Sequence, residues 1–142
     1  MIKRIHHIDY VVRDLDQAVA AYEKIFQMQM EEKQRFDERG IELAWFHLEG
    51  IKIILVSPIR PDSPVQKFLD DHGEGFFHIA YEVDDLDAAT EHFKGNAIEM
   101  ASDQKRKGVE GWDIIDLELK ETFGVFTQLI QKRKEDSSLD TE

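Results

Sequence analysis

The sequence predicts an α+β fold of two tandem βαβββ modules forming a curved mixed sheet around a central cavity, and three observations predict it. The phrase "HHIDYVVRDLDQA" at residues 6–18 is written again as "FHIAYEVDDLDAA" at residues 77–89, an offset of 71 in a chain of 142 residues. Each copy opens with the period-two alternation of a strand and closes on an Asp that heads a helical pattern. Three further strand-like runs follow each helix, in the same order.

Module one spans residues 4–58. "IHHIDYVV" reads as its first strand, and "DLDQAVAAYEKIF" as a helix capped by Asp14, with Leu15, Ala18, Val19, Tyr22 and Phe26 on one face. "MQMEEKQRF", "IELAWFHL" and "IKIILVSP" read as strands, the last two joined by a tight turn at Glu49-Gly50. Residues 59–74 connect the modules through a short helix, with Ser63 as N-cap and Pro64 as first helical residue. Module two, residues 75–131, repeats the pattern. Its strand is "FFHIAYEV", its helix "DLDAATEHFKG" turns Leu86, Ala89 and Phe93 to one side, and its remaining strands are "AIEMAS", "WDIIDLEL" and "GVFTQLIQ". Residues 1–131 are thus expected to form one domain, and the polar tail 132–142 to be disordered.

A formal charge of −12, from 30 acidic against 18 basic residues, repels nucleic acid phosphates and anionic membrane surfaces, so neither is expected as a partner. No apolar run approaches the length of a bilayer span, and the first residues lack the apolar core of a signal peptide, so a soluble, cytoplasmic protein is expected. The chain has no cysteine, so any bound metal must be held by His, carboxylate or amide groups.

His7 and His78 occupy equivalent mid-strand positions, and a pseudo-twofold axis between the modules brings such positions face to face. Two convergent imidazoles are the start of a transition-metal site; the alternative is a buried, hydrogen-bonded pair without metal. Asp9 and Glu82 lie two and four residues beyond these histidines, on the same strand faces. With Asp116 and His47 they are candidates for the concave side, set against the commoner role of a solvated charge. His6, His72 and His92 have no such pairing and read as surface residues. The "KRK" run at Lys105–Lys107 is either a phosphate contact or a solvated loop, and Trp45, Phe46 and Trp112 supply pocket wall or core.

These residues resemble the vicinal oxygen chelate superfamily and, within it, are most similar to methylmalonyl-CoA epimerases. The resemblance covers roughly Ile5 to Gln131 and is carried most specifically by "PIRPDSPVQKFLDDHGEGFFHIAYEVDDLDAA" and "HHIDYVVRDLDQA". It implies a divalent transition metal (Co, Mn, Ni or Zn) held by a His on the first strand of each module, a Glu or Gln on the last strand of the first module and a Glu on the last strand of the second. The matching positions are His7, Ile54, His78 and Gln128. Ile54 has no donor, and Gln128 offers only an amide oxygen. The position where some family members carry a second glutamate is Leu43, with Glu42 beside it on the opposite strand face. The implied ligands are therefore His7, His78 and Gln128, with Gln128, Asp9, Glu82 and Asp116 as candidate catalytic groups. The implied chemistry is a metal-stabilised enolate of a small molecule such as a CoA thioester, in a homodimer. The changes at 54 and 128 keep two alternatives open: a metal-free small-molecule binding protein, and a glyoxalase-like isomerase or lyase.

Overall fold

The structure, a computed structural model, describes residues 1–108 and 110–133. Its elements run β1 (Ile2–Val11), α1 (Leu15–Phe26), β2 (Glu32–Phe36), β3 (Ile41–Leu48), β4 (Ile51–Pro58), α2 (Pro64–His72), β5 (Gly75–Val83), α3 (Leu86–Gly95), β6 (Arg106–Lys107), β7 (Asp113–Asp116) and β8 (Phe126–Gln131), with 3₁₀ turns at Asp37–Arg39 and Leu119–Thr122. The α+β class, the tandem order and the mixed sheet are those the sequence predicts. By contacts the chain divides into two compact units, Ile8–Phe77 and a second made of Met1–His7 with the residues from His78 onward.

The Ile8–Phe77 unit orders its strands β2-β3-β4-β1, with β2, β3 and β4 antiparallel. Glu49 and Gly50 both have positive φ, which gives the β3–β4 hairpin the turn whose twist matches its strands. Alternation along β3 buries both of its faces. Ala44 and Phe46 pack with Leu55 against Leu15 and Val19 of α1, while Leu43 and Trp45 pack with Val11, Ile54 and Val56 against Val65 and Leu69 of α2. Asp14 caps α1 by accepting from Gln17 N at 3.0 Å. The buried Ser63 hydroxyl caps α2, accepting from Val65 N at 3.2 Å, with Pro64 following it. Ser63→Ala is expected to lower stability by about 1 kcal/mol, read from urea denaturation midpoints at unchanged m-value.

In the second unit the order is β1-β5-β8-β7-β6, with β5 and β8 parallel and β8, β7 and β6 antiparallel. Asp85 caps α3 by accepting from Ala88 N. Leu86, Ala89 and Phe93 of this helix pack on Val83, Ile115 and Leu129. On the opposite sheet face Ala80, Trp112, Ile114 and Ile130 form a smaller apolar cluster, and polar side chains complete that face.

Two sequence expectations need correction. The run at residues 97–102 is not a strand: Ala97 takes positive φ, Met100 makes only an isolated bridge to Leu117, and β6 lies at Arg106–Lys107 instead. The tail does not begin at 132, because the Lys132 side chain is 3% exposed and ion-paired to Glu82. The remainder of the expected tail, residues 134–142, lies outside the described residues. Among the described residues no helix is long and apolar enough to cross a membrane.

Candidate functional site

Register decides which side chains share the helix-free face of the second unit. His78, Ala80 and Glu82 alternate on one side of β5; Ala80 pairs with Gln128, Gln128 with Asp116, and Ile130 with Ile114. Gln128 and Asp116 therefore stand on the side of the sheet that carries His78.

His7 from β1 meets His78 there, with His7 Nε2 and His78 Nε2 3.0 Å apart and the rings edge to face at 5.1 Å. Burial pushes the His78 imidazole down to about 4, the Asp116 carboxylate opposing the shift and Arg106 adding to it. His78 is thus neutral at physiological pH, the form in which imidazole binds metals. Two facing lone-pair nitrogens need something between them, either one proton or one cation.

His6 is not the surface residue expected from its lack of a repeat partner. It is 4% exposed, its Nδ1 lies 2.8 Å from His7 Nδ1, and its ring stands edge to face with Trp112 at 5.0 Å. The buried residues of β1 are His6, Asp9 and Val11, so the spacing is three and then two. His6 is buried although it stands one residue out of step with Asp9 and Val11, and the neighbouring imidazoles of His6 and His7 come into contact. Only the paired "HH" hinted at this, and a strand pattern alone assigns its two members to opposite faces.

The carboxylates differ sharply. Asp9, on β1, is buried, and burial pushes its carboxyl well up. Glu82 is also buried but ion-paired to Lys132 at 3.1 Å, Lys3 at 3.2 Å and Arg4 at 3.3 Å. Burial alone would raise its carboxyl; the hydrogen bonds and charges of Lys132 and Lys3 hold it below the usual value. Asp116 is clamped by Arg106, which donates from Nε at 2.6 Å and from a terminal nitrogen at 3.0 Å.

The other candidates are not gathered here. His47 is exposed and pairs with Glu31, and Glu42 pairs with Lys33 at 3.2 Å. Ile54, where the resemblance expects a Glu or Gln, and Leu43, where some family members carry a second Glu, lie in the apolar core beside Trp45 and Val56. Phe46 is core as well. Lys105, Arg106 and Lys107 engage Asp87, Asp116 and Asp113, so each member of the basic run already faces a carboxylate. His72 packs on Phe68, and His92 lies beside Asn96 on α3.

Paired βαβββ modules carrying two facing imidazoles on their first strands define the class. The chain belongs to the Glyoxalase/Bleomycin resistance protein/Dioxygenase superfamily, whose model matches residues 6–115. It is 33% identical over 129 residues to the mitochondrial methylmalonyl-CoA epimerase of Homo sapiens, a match covering 90% of this chain and 73% of that protein. To the ethylmalonyl-CoA/methylmalonyl-CoA epimerase of Cereibacter sphaeroides it is 30% identical over 133 residues, covering 92% and 99%. A variant of Streptomyces coelicolor methylmalonyl-CoA epimerase in complex with 2-nitronate-propionyl-CoA superposes with a TM-score of 0.80 at 30% identity, covering 94% of this chain and 97% of that one.

Proposed function

We propose that the protein is a metal-dependent isomerase that inverts the carbon next to the carbonyl of an acyl-CoA thioester, as a homodimer. The observation that carries this reading is the 3.0 Å approach of His7 Nε2 and His78 Nε2, with His78 held neutral. Relatives named as epimerases of methylmalonyl-CoA and ethylmalonyl-CoA support the substrate class.

The residues fit a divalent transition ion. Two imidazole nitrogens at ordinary bond lengths from a shared ion are roughly 3.0–3.4 Å apart, and imidazole with an amide oxygen is a donor set such ions accept. His7 and His78 would hold it, with Gln128 on the His78 face supplying its amide oxygen. The ion would supply a Lewis acid for the negative charge that develops on the thioester oxygen.

Proton transfer falls to Asp9. Removing the α proton breaks a C–H bond whose electron pair moves onto the thioester oxygen, and the group that takes the proton must also be able to release it near neutral pH. Burial raises the Asp9 carboxyl toward the form that holds a proton, whereas Glu82 is ion-paired to Lys132 and Asp116 accepts from Arg106. Inversion is completed when water on the opposite face returns a proton to the planar carbon, the electron pair on oxygen re-forming the C–H bond, and Asp9 gives up its proton to solvent.

A carboxylate is also a metal-ligand type, and one experiment assigns the role of Asp9. With cobalt present, the wild-type protein is expected to exchange deuterium into the α position of methylmalonyl-CoA. Asp9→Asn should retain cobalt and lose exchange by a factor of about 10²–10⁴, whereas loss of cobalt from this variant would make Asp9 a ligand instead. Gln128→Glu should tighten metal binding and accelerate exchange. Absence of exchange in any acyl-CoA under every metal would sink the enzyme reading in favour of a binding protein.

A further inference from the structure

His7 makes a nitrogen-to-nitrogen contact at both ends of its ring, 2.8 Å from His6 Nδ1 to its own Nδ1 and 3.0 Å from its Nε2 to His78. A neutral imidazole carries one N–H, so the two ends are linked: whichever partner settles the proton at one nitrogen settles it at the other. If His6 donates, His7 carries its proton on Nε2 and has no lone pair to offer there. If His6 accepts, His7 is protonated on Nδ1 and Nε2 is bare.

We propose that His6 is a positioning residue that accepts from His7 Nδ1–H and thereby fixes His7 in the tautomer whose Nε2 lone pair faces His78. The inference deepens the metal reading given under the proposed function and rests on it for its purpose. Metal-bound histidines usually donate their second N–H to a carboxylate or a backbone carbonyl, which sets both tautomer and ring direction. Here a third imidazole takes that place. It is suited to do so because its Nδ1 lies 2.8 Å from His7 Nδ1, and because the Trp112 ring, edge to face at 5.0 Å, holds the His6 plane. The identity of the residue before the ligand histidine thus becomes a determinant of metal affinity.

A purely structural role for His6, packing against Trp112, predicts the opposite mutational order from an acceptor role. Phe at position 6 keeps a ring against Trp112 and removes the acceptor. Asn at position 6 loses the ring but places a carbonyl oxygen near the former Nδ1 position. Long-range ¹H–¹⁵N correlation spectra of the metal-free protein report the His7 tautomer directly, and competition with a chelator reports cobalt affinity.

The wild-type protein is expected to show His7 protonated on Nδ1. His6→Phe should shift His7 toward the Nε2–H tautomer and weaken cobalt binding about 10- to 100-fold, while His6→Asn restores the tautomer and brings affinity to within about threefold of wild type. A wild-type His7 protonated on Nε2 overturns the inference, as does a Phe variant that binds cobalt normally while the Asn variant does not. If the wild-type protein binds no cobalt, the metal reading falls by itself. The His7 tautomer then still decides the role of His6: protonation on Nδ1 upholds it and protonation on Nε2 refutes it.

Discussion

Protein dialysed against cobalt is expected to keep about one ion per chain, and the His7→Ala, His78→Ala double variant to keep none. The two imidazoles supply the nitrogen donors of the proposed centre. Loss of an outer-shell partner alone costs 10- to 100-fold in metal affinity, so removal of two direct ligands should weaken binding by well over roughly a hundredfold. Elemental mass spectrometry on protein purified without chelator gives the stoichiometry. Metal retained by the double variant would put the site elsewhere. A metal-free wild-type protein would mean that the 3.0 Å contact holds a proton, and the binding-protein alternative would take precedence.

Glu82→Gln should produce the largest loss of stability, about 3–5 kcal/mol, because it strips the carboxylate from a buried ammonium. The Lys132 side chain is 3% exposed, and its ammonium lies 3.1 Å from Glu82 and 5.5 Å from the Trp112 ring centre. Burial pushes the Lys132 ammonium down, and the Glu82 hydrogen bond and charge counter that shift. Removing the ammonium as well, with Lys132→Met, should recover part of the loss, since a pair replaced together leaves no uncompensated charge. The pH dependence follows from the direction of the Glu82 shift. A carboxyl lowered in the folded state binds its proton more readily when unfolded, so its contribution is fully present above about pH 4.3 and is lost as pH falls through the lower folded value. The gap between wild type and Glu82→Gln, measured by urea denaturation, should therefore narrow below pH 4. A constant gap down to pH 2 would show that the ion pairs contribute nothing to it.

What was legible in the sequence was what local chemistry determines. The caps at Asp14, Asp85 and Ser63 and the turn at Glu49-Gly50 are short-range patterns whose partners lie within a few residues. The pairing of His7 with His78 was legible for another reason: the repeat itself encodes equivalence at a distance. Glu82 shows where this fails. Its partners Lys3, Arg4 and Lys132 lie far away in the chain and have no repeat counterpart that would link them, so a buried ion-pair centre read as a candidate base. His6 was missed because it has no partner in the repeat, and its burial comes from contacts with His7 and with Trp112, which is far away in the chain. The run at 97–102 had strand-like composition, but left-handed backbone at Ala97 begins it and a single bridge at Met100 is all the pairing it finds.

The boundaries of the repeat and those of the compact units do not coincide. β1 opens module one, yet its residues up to His7 belong with the chain from His78 onward. A βαβββ module made alone would lend part of its first strand to a body it does not contain, and would become complete only by meeting another copy. Its folding would then be second order and would fail on dilution. Carrying both modules on one chain replaces that encounter with an effective concentration set by the residues 59–74 link. Assembly becomes unimolecular, and each half is spared an exposed strand edge while it waits for a partner.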